Sequence, residues 1–262
     1  MVIGIASYLM GSIPFGFILT KIFLKKDIRE IGSGNIGATN ALRTGNKLLG
    51  YSTLVLDIFK AVIPVIYVKY NYPELVYIAS YLMGSIPFGY ILTKIFLKKD
   101  IREIGSGNIG ATNALRTGNK LLGYSTLILD IIKAVIPVIY IKYNYSELVY
   151  ITSLCAFLGH VFPIWLKFKG GKGVATYVGI LFAINILLGV VFVISWGIIF
   201  LIFKYSSLAS IIGALSIPIY LFLISEKSSV IFFIIMFVLI FFTHRENIKR
   251  MKNKEESKTK IY

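Results

Sequence analysis

Residues 173–203, GVATYVGILFAINILLGVVFVISWGIIFLIF, form a run without a charged side chain between Lys172 and Lys204. A helix needs about 20 mostly apolar residues to cross the hydrocarbon core of a bilayer. The run lacks the alternation of apolar and polar residues that marks a half-buried strand, so it indicates helix. We predict two short spans here, 173–187 and 189–203, divided around Leu188 and Gly189. A single span instead would invert the membrane orientation of everything that follows.

The rest of the chain has the same apolar character. Of its 262 residues, 56% are hydrophobic and 15% charged, and the mean hydropathy is +0.78. Soluble globular domains are less apolar than this, and within lipid only helices or closed barrels satisfy their backbone hydrogen bonds. We therefore predict an all-α integral membrane protein, a polytopic helical bundle. Its nine predicted spans are 3–23, 50–68, 76–96, 123–141, 149–166, 173–187, 189–203, 207–224 and 229–243.

The net charge of +16 reports topology rather than a nucleic-acid partner. With nine spans, one side of the membrane collects all but five of the 28 Lys and Arg residues. By the positive-inside rule that side is cytoplasmic, which places the N-terminus outside and the C-terminus inside. The five exceptions are Lys69, Lys142 and Lys227 on the other side, and Lys60 and Lys133 within spans.

Residues 5–150 consist of one 73-residue unit present twice. Copy one, residues 5–77, and copy two, residues 78–150, differ at five positions. Each copy carries two predicted spans, an even number, so the repeat leaves the orientation of later spans unchanged. Removing 73 of the 262 residues leaves 189 residues and seven spans. We expect residues 78–262 to form a seven-span functional core and residues 1–77 a spare two-span hairpin. The opposite assignment of the copies stays open, as does an assembly error in the source sequence.

Each copy contains the stretch GSGNIGATNALR, at residues 32–43 and 105–116. Its GxGxxG pattern would indicate a dinucleotide site only within a soluble βαβ unit, whereas here a span and the charged stretch KKDIRE precede it. Glycines let backbone N–H groups approach an anion closely. We predict an anion site on the cytoplasmic side, with a flexible glycine loop as the alternative. The side-chain donors of copy two are Asn108, Thr112, Asn113 and Arg116.

A second cluster, KFKGGKGVAT at residues 167–176, leads directly into a predicted helix. Glycines and lysines at a helix N-terminus make a receptor for a phosphate group. The cluster lacks GxxxxGK[ST], so it is not a nucleotide P-loop. Positive-inside lysines explain its charge but not the three glycines around Lys172, and we therefore favour anion binding.

Ionisable side chains within spans are costly and mark candidate sites. Asp57 and Lys60, and likewise Asp130 and Lys133, are spaced i, i+3 on one helix face. Each pair is expected either to neutralise itself or to serve a site. The single cysteine, Cys155, excludes a disulfide within the monomer, and we predict neither a metal nor a cofactor.

Two histidines and a serine cluster are further candidates. His160 lies inside a span, where it is expected to be either a hydrogen-bonded packing residue or a base. His244 stands at the cytoplasmic end of the last span and is expected to be better exposed for chemistry. The serines 206, 207 and 210 begin the eighth span, where a serine can cap a helix.

Six motifs follow one another in order: GSIPFG (84–89), GSGNIGATNALR (105–116), LDIIK (129–133), GHVFPIWLKFKGGKGVAT (159–176), SSLASIIGALSIP (206–218) and HRENIKR (244–250). With them the chain closely resembles the bacterial acyl-phosphate:glycerol-3-phosphate acyltransferases, the PlsY family. The resemblance covers the whole chain apart from one repeat copy. It implies a seven-span enzyme of the bacterial inner membrane whose active site faces the cytoplasm.

The resemblance also implies a reaction, the first step of phospholipid synthesis. The 1-hydroxyl of glycerol-3-phosphate attacks an acyl phosphate, giving lysophosphatidic acid and inorganic phosphate, and an acyl-phosphate-producing enzyme would act upstream. The pairing His-x4-Asp, typical of acyltransferases that use acyl-CoA, does not occur, since Trp165 and Lys249 stand five places after the two histidines. Acyl-CoA is therefore the disfavoured donor.

The family pattern assigns roles to residues of copy two and of the segments after it. The implied catalytic residues are His244, Asn247, Lys172 and Arg116. The implied substrate-binding residues are Ser106, Gly107, Asn108, Gly110, Thr112, Asn113, Lys169, Gly170, Gly171, Gly173, Ser207 and Ser210. The general base stays open between the phosphate of the donor and His244. Lys254 replaces a glycine that the family has two places before a glutamate, which argues against a role for Glu256.

Two other functions stay open. The glycine and lysine loops would also suit a membrane transporter for an organic phosphate, although most ionisable residues here lie at cytoplasmic ends rather than near the bilayer midplane. The repeat could also have left an inactive acyltransferase.

Overall fold

The computed structural model describes residues 2–71, 75–226 and 228–258, and over this part of the chain it is all-helical, as predicted. It divides into two compact units, Met1–Pro73 and Glu74–Tyr262. Lys227, which counted toward the predicted topology, lies outside the described residues. The α-helices of the first unit are α1 (Val2–Gly11), α2 (Phe15–Leu24), α3 (Ala38–Leu42) and α4 (Lys47–Asn71). Those of the second unit are α5 (Val76–Gly84), α6 (Phe88–Leu97), α7 (Ala111–Leu115), α8 (Lys120–Asn144), α9 (Val149–Val161), α10 (Val174–Ile184), α11 (Ile186–Phe203), α12 (Ser206–Leu223), α13 (Val230–Thr243) and α14 (Arg245–Lys252).

Helix lengths agree with a membrane protein but do not confirm nine spans. Among the described residues, five helical segments are long and apolar enough to cross a membrane. A sixth is added if α13 and α14, which meet at a 57° bend, count as one. The five segments are Val76–Leu97, Lys120–Asn144, Ser146–Leu166, Ile186–Phe203 and Ser206–Leu223.

The uncharged run 173–203 is divided, as predicted, but at Asn185 instead of Leu188 and Gly189. The Asn185 side chain accepts from the N–H of Leu187 and so caps α11, while α10 ends at Ile184. With 11 residues, α10 reaches about 16 Å, half the thickness of the hydrocarbon core. The predicted span 173–187 is therefore a short helix. The predicted span 76–96 matches the candidate span Val76–Leu97, which consists of two helices, α5 and α6, separated at Ser85–Pro87.

The core of the second unit lies between its long helices. Phe157 of α9, Tyr177 of α10, Ile217 of α12 and Phe233 of α13 are all fully buried in one cluster. The Tyr177 ring meets Phe192 of α11 edge to face, with centroids 5.7 Å apart. Aromatic burial of this size is a main source of packing energy, and it fixes the helices that carry the loops described below.

Helices α5 and α9 approach each other through a glycine. A Cβ atom added to Gly84 would lie 2.1 Å from the carbonyl oxygen of Ala156, so only glycine fits at this contact. Close contacts of this kind between small residues are typical of helix pairs in membranes. Two hydrogen bonds extend the contact toward the segment after α9: Tyr81 Oη donates to the Phe162 carbonyl at 2.7 Å, and Trp165 Nε1 to Ser85 Oγ at 2.8 Å.

The two predicted i, i+3 ion pairs both form. Lys60 Nζ lies 2.6 Å from Asp57 Oδ1, and Lys133 Nζ lies 2.7 Å from Asp130 Oδ1. His160 is 4% exposed and its Nδ1 lies 2.9 Å from Lys133 Nζ. It is therefore the hydrogen-bonded packing residue that was one of the two expectations.

Candidate active site

The loop between α6 and α7 is shaped by one of its own side chains. Asn113 is 2% exposed, and its amide donates to three backbone carbonyls of the loop at 2.8 to 3.1 Å while its Oδ1 accepts from the Ser106 N–H at 2.9 Å. Gly105 and Gly107 have φ values of +54° and +70°, which glycine adopts without a steric cost. Since both amide hydrogens of Asn113 are used inside the loop, its role is to anchor the backbone. The three acceptors are the carbonyls of Ile101, Ile104 and Asn108.

The charged stretch before this loop is also ordered by an internal contact. Arg102 holds Asp100 in an ion pair of 2.5 Å. The hydrogen bonds from Arg102 lower the pKa of Asp100 to about 2 despite its partial burial. This contact directs Arg102, which the sequence analysis did not single out, to the wall of the cavity described below.

The glycine-lysine loop folds back onto the end of α9. The N–H groups of Gly170 and Gly171 donate to the carbonyls of Val161 and His160 at 3.1 and 3.0 Å. A Cβ atom on Gly171 would lie 2.1 Å from His160 Nε2, so a side chain there is excluded. The loop ends at Gly173, which has a φ of +82° and precedes α10, so it leads directly into a helix as predicted.

A third segment, residues 243–257, comes against these loops. Thr243 Oγ1 donates to the Lys172 carbonyl at 3.1 Å, and Asn247 is 4% exposed on α14. Glu256 gathers three donors: Ser207 Oγ at 2.8 Å, Asn247 Nδ2 at 2.6 Å and Arg250 Nε at 2.7 Å. Arg116 Nη2 donates to Ser257 Oγ at 2.9 Å, which ties the first loop to the same segment.

The three segments line one polar cavity of about 600 Å³. Its wall holds five cationic side chains and one acidic side chain, Glu246, so it favours anions. Eight of the residues predicted for the site line it: Ser106, Gly107, Asn108, Lys169, Gly170, Gly171, Lys172 and Asn247. The cations are Arg102, Lys169, Lys172, Arg245 and Arg250.

The other predicted site residues stand outside this wall. Thr112 is exposed on α7. Gly173 packs against the Phe157 ring, and a Cβ atom added to Gly173 would lie 2.2 Å from that ring. Arg116 contacts Ser257, as described above, and Gly110 donates its N–H to Asn108 Oδ1 at 2.9 Å. The remaining four are Asn113, Ser207, Ser210 and His244.

The expectation that His244 is well exposed was wrong. The side chain is 2% exposed at the junction of α13 and α14, and its Nδ1 lies 2.7 Å from the Ile240 carbonyl oxygen. A carbonyl can only accept, so Nδ1 carries the proton and Nε2 keeps its lone pair. Because α14 bends away at this residue, the histidine is covered by its own chain.

The serine cluster does not cap its helix. Tyr205 occupies the N-cap of α12, and no side-chain bond is made there. Ser207 donates to Glu256, and Ser210 Oγ donates to the Ser206 carbonyl at 2.8 Å. Ser207 therefore acts through the carboxylate of Glu256, while Ser210 lies deeper in the helix packing.

Glu256 was the main residue that sequence reasoning undervalued. Lys254, which replaces the family glycine, adopts a φ of +59°, so the chain makes the turn without glycine and the carboxylate still reaches its partners. Burial raises the pKa of Glu256, but the hydrogen bonds from Asn247, Arg250 and Ser207 lower it more, and the group is anionic. The Glu at this family position was the available signal.

Burial also acts on the central cation. It lowers the pKa of Lys172 to about 8, against the attraction of Glu256 and with the repulsion of Arg250 and Arg116. Asn247 Oδ1 is buried and accepts no hydrogen bond from any residue in the described part of the chain. Since Asn247 Nδ2 faces a carboxylate, which can only accept, this oxygen is a true free acceptor.

A second cavity, of about 380 Å³, adjoins the polar one and is apolar. It shares Phe162 and Phe168 with the polar cavity. The rest of its wall is Tyr77, Ile78, Tyr81, Cys155 and Leu158. A charged compartment and an apolar compartment thus meet at two phenylalanines.

The chain is similar to known proteins over most of its length. The family model for glycerol-3-phosphate acyltransferase matches residues 1–76 and again residues 74–254. A glycerol-3-phosphate acyltransferase of Pelagibacter ubique is 74% identical over 188 residues, covering 72% of this chain and 98% of the relative. One of Anaplasma marginale is 44% identical over 191 residues, covering 72% of this chain and 96% of the relative.

Two solved structures are also similar to this chain. The crystal structure of PlsY, an integral membrane glycerol 3-phosphate acyltransferase, in its glycerol 3-phosphate form superposes with a TM-score of 0.67 at 35% identity. It covers 71% of this chain and 94% of that protein. The lysophosphatidic acid form of PlsY gives a TM-score of 0.65 with the same identity and coverage.

Proposed function

This chain belongs to the glycerol-3-phosphate acyltransferase family and is a multi-pass membrane enzyme, and we propose that its acyl donor is an acyl phosphate. The 1-hydroxyl of glycerol-3-phosphate attacks the acyl carbon, the bond from that carbon to the phosphate oxygen breaks, and lysophosphatidic acid and inorganic phosphate leave. An enzyme that makes acyl phosphate would act upstream, and the product would enter phospholipid synthesis.

The observation that carries this proposal is the wall of the polar cavity. Two glycine-rich loops and α14 bring five cationic side chains to one space of about 600 Å³. The reaction joins two phosphate-bearing substrates, so it needs more positive charge than a site for one phosphate. Such fixed cations stabilise charge that develops on the leaving phosphate, and they need little rearrangement to do so.

An acyl phosphate is an activated mixed anhydride, so the reaction needs no covalent enzyme nucleophile. Positioning of the two substrates and stabilisation of charge are sufficient sources of acceleration. The free acceptor Asn247 Oδ1 suits a substrate hydroxyl, because it is buried and its orientation is fixed by Glu256. The proton of the attacking hydroxyl passes to the donor phosphate, because His244, the other candidate base, is 2% exposed and does not line the cavity.

The acyl chain has a place beside this charge. The apolar cavity of about 380 Å³ meets the polar cavity at Phe162 and Phe168. A substrate with a phosphate head and a hydrocarbon tail fits two such compartments, and a purely polar phosphate does not use the second. This feature favours an acyl donor over transport of a small organic phosphate.

We further propose that copy two forms the site and that copy one is a spare hairpin. Copy two is directly continuous with α9 to α14, whose loops complete the cavity. On this proposal residues 78–262 are a seven-span acyltransferase core of the inner membrane, with the cavity facing the cytoplasm. Residues 1–77 then add two spans, nine in total.

The test is lysophosphatidic acid formation by the purified full chain from glycerol-3-phosphate, with acyl phosphate and acyl-CoA in parallel assays. We expect product from acyl phosphate alone. Product from acyl-CoA would overturn the donor assignment. If neither donor gives product, deletion of residues 5–77 distinguishes a repeat that blocks the enzyme, where activity returns, from a chain that has another function, where it does not.

A further inference from the structure

The ammonium group of Lys133 lies close to three acceptor atoms of the second unit. Lys133 is 3% exposed on α8, and its Nζ lies 2.7 Å from Asp130 Oδ1, 2.9 Å from His160 Nδ1 and 2.8 Å from the Ile86 carbonyl oxygen. A lysine ammonium has three N–H donors and no acceptor. The ammonium therefore donates to the Ile86 carbonyl and to His160 Nδ1, which must be the unprotonated ring nitrogen. It pairs by charge with Asp130, whose Oδ1 accepts no hydrogen bond within the described residues.

The Ile86 carbonyl belongs to the break between α5 and α6. Pro87 follows it and has no N–H, and α6 then leads into the loop that carries Ser106 and Asn108. Lys133 thus contacts the backbone just before α6, the helix that leads to the first glycine loop. The Ile86 carbonyl accepts from the Phe88 N–H at 3.1 Å as well as from Lys133, so both of its lone pairs are used at the helix break.

The His160 ring reaches the second loop. Its Nε2 side packs against Gly171, where a Cβ atom would lie 2.1 Å away, and its carbonyl accepts the Gly171 N–H at 3.0 Å. The next residue is Lys172, a cation of the polar cavity. One ammonium group therefore contacts elements that lead to both glycine-rich loops.

The equivalent lysine of copy one, Lys60, shows which of the Lys133 contacts arise from the repeated sequence itself. Lys60 makes the same contacts with Asp57, at 2.6 Å, and with the Ile13 carbonyl, at 2.9 Å. The side chains of Lys60 and Asp57 are nevertheless 21% and 28% exposed, against 2% for each of Lys133 and Asp130. The repeat ends at residue 150, so it holds no equivalent of His160. The contact with histidine and the deeper burial of the ion pair are thus the features of copy two that the repeated sequence alone does not produce.

From this arrangement we propose that Lys133 and His160 are positioning residues that hold the two glycine loops at the spacing required by glycerol-3-phosphate. They act through the helix break at Ile86 and the backbone at Gly171, and neither lines the polar cavity. The inference rests on the proposed function, because the spacing matters for a substrate that both loops contact.

The matched experiment compares Lys133→Met with Lys60→Met in the full chain. Misplacement of binding groups by about 1 Å costs up to about 100-fold, and we expect the KM for glycerol-3-phosphate to rise at least about tenfold in Lys133→Met and to stay within about twofold in Lys60→Met. A lysine that only stabilised the fold would lower the amount of folded enzyme and leave KM unchanged. Equal KM values in the two variants would overturn the proposal.

Two further variants keep the test valid if Lys133→Met folds poorly. The double variant Asp130→Asn with Lys133→Met removes both charges, and neutral replacement of a buried ion pair is often tolerated. We expect this variant to fold but to keep the raised KM; a normal KM would mean that Lys133 only neutralises Asp130. His160→Asn retains an acceptor near the position of Nδ1, so it should restore KM relative to His160→Ala.

A readout without turnover separates this inference from the proposed function. Glycerol-3-phosphate should raise the thermal midpoint of the parent chain and of Lys60→Met more than that of Lys133→Met. If the parent chain is stabilised but forms no product, the proposed reaction fails and the positioning role stands. If Lys133→Met is stabilised as much as Lys60→Met, the positioning role fails alone. Absence of any effect on the parent chain would overturn both.

Discussion

Asn40 and Asn113 hold the same position in the two copies of the repeat, and their surroundings are alike. Each is 2% exposed, each amide donates to three carbonyls of its loop, and each Oδ1 accepts one N–H. The distances differ by no more than about 0.1 Å between copies. Hydrogen bonds from a side chain to the nearby backbone therefore determine the loop wherever the sequence occurs.

Residues a few positions away differ sharply. Ile36 is 41% exposed, whereas its equivalent Ile109 is 2% exposed and packs in a cluster that includes Leu166. Arg116 donates to Ser257, while the Arg43 side chain donates no hydrogen bond within the described part of the chain. The comparison teaches that the repeated sequence determines the conformation of the loop. The contacts that build a cavity around that loop come from residues outside the repeat.

The largest expected effect comes from the two arginines. Arg116→Ala should lower kcat/KM by about 100-fold or more, because Arg116, although outside the cavity wall, acts electrostatically on Lys172 and ties the first glycine loop to Ser257. Arg43→Ala should leave kcat/KM within about twofold, since Arg43 belongs to the separate unit Met1–Pro73 and sites without shared partners change independently. Initial rates of lysophosphatidic acid formation give both values. Equal losses, or a loss with Arg43→Ala alone, would show that the copies have been assigned the wrong way round.

Substitution of Glu256 tests the contribution of a carboxylate that lies outside the repeat. Glu256→Gln removes the charge that Asn247, Ser207 and Arg250 share, and charge-assisted hydrogen bonds are about twice as strong as neutral ones. We expect kcat/KM to fall about tenfold, which corresponds to 1.4 kcal/mol. The control is Glu255→Gln, because Glu255 is exposed next to it. Similar losses in both variants would indicate a general effect of charge in this segment.

A pH series tests the cation that completes the site. Burial lowers the pKa of Lys172 to about 8, so Lys172 is charged below that pH and loses its charge above it. The KM for glycerol-3-phosphate should therefore increase several-fold between about pH 7 and 9; below about pH 7 the substrate phosphate itself takes up a proton, so the comparison is made above that pH. Lys172→Arg keeps its charge at these pH values and should flatten the profile. A rise of equal size in Lys172→Arg would exclude Lys172 as its source.

The smallest effect is expected from removing copy one altogether. A chain without residues 5–77 should retain kcat/KM within about twofold, because the deleted segment lies in the separate compact unit Met1–Pro73 apart from residues 74–77, which residues 1–4 replace before Ile78. The measurement uses the same product assay on purified protein. A loss of activity beyond tenfold would mean that copy one contributes to the enzyme and would remove the distinction drawn above.

Much of the site was predictable where local sequence determines it. The glycines of residues 105–110 and 170–173 indicated anion loops, and most of these residues line the cavity or support its wall. The i, i+3 spacing indicated both ion pairs, because helix geometry alone brings such residues together.

What the sequence did not predict has three sources. His244 was expected to be exposed, but it is buried where α13 and α14 meet at a bend. Ser207 donates to a carboxylate 49 positions away, a contact that no sequence spacing indicates. Glu256 was set aside because a lysine replaces a glycine, although Lys254 adopts the left-handed backbone and the carboxylate reaches its partners.

The close packing at Gly84 affects which substitutions the two copies of the repeat can accept during evolution. A methyl group at Gly84 would meet the Ala156 backbone at 2.1 Å, whereas the same group at Gly11 meets none of the described residues within 4 Å. A mutation to alanine is therefore eliminated at one position and passes unnoticed at its twin. Divergence between the copies should begin in the first, at the positions where the second is packed most tightly, and a survey of natural variants would find Gly11 altered before Gly84.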